Sequence, residues 1–404
     1  MPASAIQRFL GTLGTYEHKA GMQHFEAAVQ DAGSARTALL GILLSVANQR
    51  VEPSVTPHAI LTADAGRQIF DTAGWPASLP VLRFLALYNF TLTKRDWTPG
   101  ALERMAGKIR VASGADPRGS LARALAAKNP QEAAALAAYL ARRDGSVSAG
   151  RALVAATLGD VGRLQHNLAL AVACTETAAV LGEPAGIVAV ANGAFELAPL
   201  MTEFTRPTFE PVPAEPPDLL RLERALFEDD YEVVHRQIHA ISASDRPEDA
   251  MRPLLVAACL EPGFLGHSLI AANAARLALP HLAPPERSFL LWKFYRTLVS
   301  RFGYPEALEL RGGSEVEPGA ALEALKSSLK IKSPPVERTL RDALESGVPL
   351  EKVLQHVAYN WTNWTVGEKE HTLQFLNAAI QTASFLGREG AMLPLVTTLY
   401  KLPL

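Results

Sequence analysis

Runs in which polar and apolar residues alternate one by one are scarce in this chain, and alanine- and leucine-rich stretches dominate it. That pattern predicts an all-α protein. Four stretches share one motif, and each opens on a histidine: His58-Ala-Ile-Leu-Thr-Ala-Asp-Ala-Gly, His166-Asn-Leu-Ala-Leu-Ala-Val-Ala-Cys, His267-Ser-Leu-Ile-Ala-Ala-Asn-Ala-Ala and His371-Thr-Leu-Gln-Phe-Leu-Asn-Ala-Ala. Successive histidines stand 108, 101 and 104 residues apart. Two positions on, each copy has an aliphatic residue (Ile60, Leu168, Leu269, Leu373), and seven on, each has alanine (Ala65, Ala173, Ala274, Ala378). Eight on, each is small: Gly66, Cys174, Ala275, Ala379. Sixteen on, three copies have Gly74, Gly182 and Gly387, and the other has Ala283. The motif predicts a four-turn helix that opens near the histidine and stops at a glycine in the left-handed conformation. Small residues at the seventh and eighth positions admit close approach of another helix or a ligand. The sixth position (Asp64, Val172, Asn273, Asn377) need not share the histidine face.

Upstream of two of these helices the agreement continues. Arg123-Ala-Leu matches Arg224-Ala-Leu, and Arg151-Ala-Leu-Val matches Arg252-Pro-Leu-Leu. Each unit therefore reads as three or four helices, and the chain as four degenerate repeats of about 100 residues around a shared core. The stretch Thr205–Asp218 carries Pro207, Pro211, Pro213, Pro216 and Pro217, which forbid a helix. It divides the expected architecture into an N-terminal half (1–204), a linker (205–218) and a C-terminal half (219–404).

Composition removes several function classes. The chain of 404 residues is 48% hydrophobic, enough for a large core, and its net charge of −2 with no basic stripe gives no reason to expect nucleic acid. The start, Met1-Pro-Ala-Ser-Ala-Ile-Gln-Arg, lacks the pattern of a secretory signal. Ala178–Leu200 comes closest to a membrane span and is broken by Glu183 and Glu196. A cytoplasmic protein with no membrane partner is the expectation; the oligomeric state is open. Cys174 and Cys259 form no Cys-x-x-Cys pair and sit in apolar helical patterns, which predicts buried inert thiols. No phosphate loop, nucleophile elbow, kinase or dinucleotide-binding pattern is present.

The repeated histidine is the candidate chemistry. His58, His166, His267 and His371 at equivalent places can converge and bind a transition metal, because neutral imidazole is a common ligand for zinc, copper, iron and nickel. The alternative is that each caps its helix or pins a loop by a hydrogen bond. A helix N-terminus also disfavours the imidazolium, and the neutral ring suits metal binding or general-base work near pH 7. His235 and His239, at i and i+4, share a helix face and form half of a possible metal site or an exposed pair. His356 lies on the helix before His371 and is a further candidate for the same pocket. Trp361 and Trp364, in Tyr359-Asn-Trp-Thr-Asn-Trp, either wall an apolar pocket or pack in the core.

Two segments resemble the questin oxidase-like family: Gly266-His267-Ser-Leu-Ile-Ala-Ala-Asn-Ala-Ala-Arg-Leu-Ala-Leu-Pro-His281-Leu and Glu368-Lys-Glu-His371-Thr-Leu-Gln-Phe-Leu-Asn-Ala-Ala. The resemblance covers about a quarter of the chain. It implies a helical oxygenase acting on an apolar aromatic small molecule with molecular oxygen, with His267 and His371 as catalytic residues. The competing expectation is a non-catalytic helical scaffold or small-molecule-binding protein with structural histidines. What separates the two is whether the four histidine faces meet in one cavity.

Overall fold

The computed structural model describes residues 4–51, 56–109, 116–161, 166–202, 212–213, 215–298, 308–331, 336–361 and 369–401. Among them the chain is helical throughout. Three helices, α1 (Ala5–Thr12), α2 (His18–Ala28) and α3 (Ala32–Ala47), lead to α4 (His58–Ala73) and α5 (Leu79–Asn89). Four more, α6 (Pro99–Ala106), α7 (Pro117–Ala126), α8 (Pro130–Asp144) and α9 (Ser146–Ala156), precede α10 (His166–Leu181) and α11 (Gly186–Leu197). Next come α12 (Leu219–Phe227), α13 (Tyr231–Ser242), α14 (Met251–Leu260), α15 (His267–Ala278) and α16 (Pro284–Leu298). The chain continues with α17 (Pro318–Ile331), α18 (Val336–Glu345), α19 (Leu350–Tyr359), α20 (Lys369–Gly390) and α21 (Met392–Lys401). Most of the proline-rich stretch, residues 203–211 and 214, lies outside the described residues.

Local sequence explains where several helices start. Asp31 and Ser34 form a reciprocal capping box on α3, and Asp116, Asn129, Asp218 and Asp230 each accept a backbone N–H at the start of α7, α8, α12 and α13. Pro117 and Pro130 follow two of those caps, where a missing N–H costs nothing. The glycines sixteen residues after the histidines do interrupt their helices with positive φ, as expected. Their conformation differs from the expectation: Gly74 (φ 68°, ψ −172°) and Gly387 (φ 76°, ψ −176°) are in the mirror image of extended backbone, not the left-handed helical well. Only glycine enters that region without strain.

The four histidine-led helices close on one another: α4 packs on α10 and α20, and α15 packs on α10 and α20. Each also packs on the helices before and after it, α3 and α5 on α4, α9 and α11 on α10, α14 and α16 on α15, α19 and α21 on α20. This covers most of α10, and it buries eleven of its residues from Asn167 to Ala178. The small eighth-position residues serve this packing. A Cβ on Gly66 would stand 2.5 Å from Leu85 Cδ1 of α5, and one on Gly193 of α11 would stand 2.5 Å from Cys174 Sγ. Both cysteines are free and fully buried, and burial pushes their thiols up, so they are inert. No helix among the described residues is long and apolar enough to cross a membrane. The glutamates that break the apolar stretch 178–200 are bonded: Glu196 pairs with Arg95, and Glu183 accepts from Ser146 Oγ at 2.8 Å.

Candidate metal centre

Because the four helices present their first turns to the same place, the four imidazoles meet. Ring centroids run His58–His166 5.3 Å, His166–His267 4.9 Å, His267–His371 4.9 Å and His371–His58 4.5 Å, with the His166–His371 diagonal at 6.3 Å. The rings thus form a closed four-membered set in chain order. Side chains on a helix lean toward its N-terminus, which carries rings in the first turn out over the end of the bundle. His267 and His371 are buried; His58 and His166 are half-buried.

The nitrogen geometry narrows the chemistry. His267 Nε2 and His166 Nε2 are 3.2 Å apart. Two nitrogens bound to one ion at about 2.0–2.1 Å are separated by about 2.9 Å at a right angle and about 3.4 Å at the tetrahedral angle. The ligand nitrogens of His58, His166 and His371 all lie within 4.8 Å of one another, and His267 stands outside that group, joined to it through His166. His267 Nδ1 bonds to the carbonyl of Phe264. In the neutral ring this Nδ1–H donates, leaving the Nε2 lone pair toward the other rings, the outer-shell device by which proteins orient a ligating histidine. His58 Nε2 is buried and has no hydrogen-bond partner among the described residues. The loop-pinning alternative holds in part for His267, which bonds the turn before it.

That turn is tightly specified. Gly266 has φ 78° and ψ 13°, and a Cβ on it would come within 2.4 Å of the Phe375 ring, one turn after His371. Replacing Gly266 by alanine is expected to cost at least about 2 kcal/mol, from left-handed backbone and a ring clash together. Urea unfolding followed by circular dichroism measures it, and a variant as stable as the parent would remove this constraint on the His267–His371 pair.

Burial, with charge on His371 and His267 adding to it, pushes His58 down to about 4. The direction matches the expectation from the helix dipole, but the larger cause is desolvation. The site at pH 7 therefore offers a neutral imidazole at His58.

Below the rings, the four helices enclose a cavity of about 40 Å³, room for about three water-sized molecules. Its wall uses the third, sixth, seventh and tenth positions after the histidines, among them Asp64, Gln68, Asn273, Gln374 and Asn377. The sixth position therefore does share the interior, because a helix facing a bundle axis buries both the 3- and 4-residue neighbours of its stripe. The wall is mixed, with these five polar side chains set among apolar ones such as Leu61, Val172, Ile270 and Leu277. Gln68 Nε2 donates to Asp64 Oδ2 at 2.7 Å, Asn377 Nδ2 to Gln68 Oε1 at 3.0 Å, and Gln374 Nε2 to Thr62 Oγ1 at 3.0 Å. Arg67 Nε donates to Asp64 Oδ1 at 2.8 Å. Burial raises the Asp64 carboxyl, against the pull of Arg67. These polar residues are the part of the site that sequence reasoning set aside. A stripe repeating every three and four residues from each histidine was the signal for them.

The other candidates are spoken for. His235 packs on the Trp292 ring, and His239 Nδ1 bonds Ser288 Oγ, so the i, i+4 pair is shared between two α16 partners. His356 sits near Lys326, Glu323 and Lys352, away from the four rings, and burial lowers it. Trp361 is buried in the core edge-on to Phe84, and Trp364 lies outside the described residues. No protein-family model, curated protein or solved structure matches this chain. The resemblance to the questin oxidase-like family therefore stands on the two histidine-led segments alone.

Proposed function

We propose that His58, His166, His267 and His371 hold one transition-metal ion, and that the protein is a helical oxidoreductase working at that centre. The observation that carries the reading is the 3.2 Å separation of His267 Nε2 and His166 Nε2 inside a closed set of four rings, with His58 Nε2 unpartnered beside them. An all-imidazole donor set suits copper, iron, nickel and zinc, and oxidoreduction narrows it to the redox-active members. The resemblance to an oxygenase family supports the same reaction class. A cavity of about 40 Å³ fits water or dioxygen and has no room for a fused aromatic ring. An aromatic substrate would approach from the outer side of the rings, where Phe264 is 71% exposed and lies nearly parallel to the His267 ring.

The test is elemental analysis of chelator-washed protein reloaded with copper, iron, nickel or zinc. Near-stoichiometric binding of one metal is expected, with His267→Ala and His371→Ala each reducing affinity at least about tenfold. The loaded protein is expected to consume dioxygen in the presence of an apolar phenol. No binding of any of the four metals, or full occupancy in both variants, would overturn the centre. Metal binding without oxygen consumption would retain the centre and reject the oxidoreductase. A structural scaffold is favoured by one observation, the His267–Phe264 bond; it predicts loss of stability in His267→Ala with no metal bound to the parent.

A further inference from the structure

A second concavity lies outside the ring of histidine helices. It is a groove of about 1100 Å³ between α7, α9 and the turn that leads from α15 into α16. Three arginines line it: Arg118 and Arg123 from α7, and Arg151 from α9. None of the three is in an ion pair among the described residues; Arg118 reaches Ser148 Oγ at 3.3 Å and Arg123 reaches Ser120 Oγ at 2.9 Å. The two carboxylates in the same groove are engaged with backbone. Asp116 accepts from the N–H groups of Arg118 and Gly119, and Glu286 accepts from that of Ala283. Between the arginines the wall is apolar, built from Ala122, Ala152, Ala155, Leu158 and Leu282.

His281 adds an observation of a different kind. Its side chain is only 10% exposed and lines the groove. Its Nε2 is held by Glu176 Oε1 at 3.0 Å, and its Nδ1 has no hydrogen-bond partner among the described residues. The ring is thus fixed by Glu176 at the edge of the groove, with its Nδ1 buried.

We infer that this groove binds a small organic anion, an apolar body carrying a phosphate or carboxylate group, with Arg118, Arg123 and Arg151 taking the oxyanion and the alanine-lined wall taking the body. Guanidinium groups match such oxygens in paired hydrogen bonds. An apolar floor with a few convergent polar groups is the ordinary make-up of a small-molecule site. The inference does not rest on the metal centre, and it is tested on chelator-washed protein so that the two stand or fall separately.

The experiment is isothermal titration with phenyl phosphate and benzoate, with inorganic phosphate and benzyl alcohol as the single-feature comparisons. Phenyl phosphate or benzoate is expected to bind at least about tenfold more tightly than either comparison, and more weakly as salt is raised. The double variant Arg123→Gln/Arg151→Gln, whose side chains are exposed and leave the core untouched, is expected to weaken that binding at least about tenfold. Inorganic phosphate binding as tightly as phenyl phosphate would reject the organic ligand. Benzyl alcohol binding equally, unchanged affinity in the double variant, or no binding of either anion at millimolar concentration would reject the anion site.

Discussion

Replacing Arg67 by alanine should lower stability at pH 7 by about 3–5 kcal/mol, the largest single-site effect expected away from the histidines. Arg67 is 8% exposed and serves three carboxylates on two of the ring helices. Its guanidinium bonds Asp64 at 2.8 Å and Asp71 at 2.8 Å, both on its own helix, and reaches Glu176 of α10 at 3.6 Å. Removing it leaves Asp64 buried without its counter-charge, in surroundings that already raise its carboxyl. The deficit should shrink as pH is lowered, because a protonated Asp64 needs no cation. It should also shrink in the double variant Arg67→Ala/Asp64→Ala, which removes the uncompensated charge. Urea unfolding of the parent and the two variants at pH 7 and pH 5 decides the matter; an Arg67→Ala protein within about 1 kcal/mol of the parent at pH 7 would show the network to be idle.

The metal-free protein should also lose stability on mild acidification, through His58. Its folded value is about 4 against an ordinary 6.5. The folded state therefore takes up its proton later than the unfolded chain, and stability rises with pH between those values. The contribution is full above about pH 6.5 and is lost as pH falls toward 4. A depression of that size corresponds to roughly 3 kcal/mol. The slope between pH 5 and 6.5 is compared between parent and variant, so that carboxyls raised by burial, Asp64 among them, cancel. His58→Gln should flatten it, while His356→Gln, at a less buried ring, should change it less. A parent protein whose unfolding midpoint is level from pH 6.5 to 5 would contradict the reading of His58 as a desolvated neutral imidazole.

Both effects arise from groups that one sequence pattern placed and one packing arrangement completed. The repeated histidine, the alanine seven residues on and the glycine sixteen on were legible because helices carry local, periodic constraints. A first-turn side chain, a small contact residue and a positive-φ stop each demand a particular residue type. The role of the sixth position was not legible. Asp64, Asn273 and Asn377 look solvent-ready on a single helix, and only the approach of three others turns them inward. Nor did spacing announce the arginine groove, whose walls come from residues 116–126, 148–158 and 280–286.

By itself, then, the sequence determined that this chain is all-α and that four helices carry a histidine in their first turn, since both follow from interactions within a few residues of each other. Tertiary structure alone decided that the four rings meet at 4.5–6.3 Å between centroids, that the space beneath them is small and carries polar side chains on a mainly apolar wall, and that His235, His239 and His356 are left out. Convergence across about 100 residues of chain depends on how helices close around a common axis. That is settled by the sum of many apolar contacts, and no single spacing encodes it.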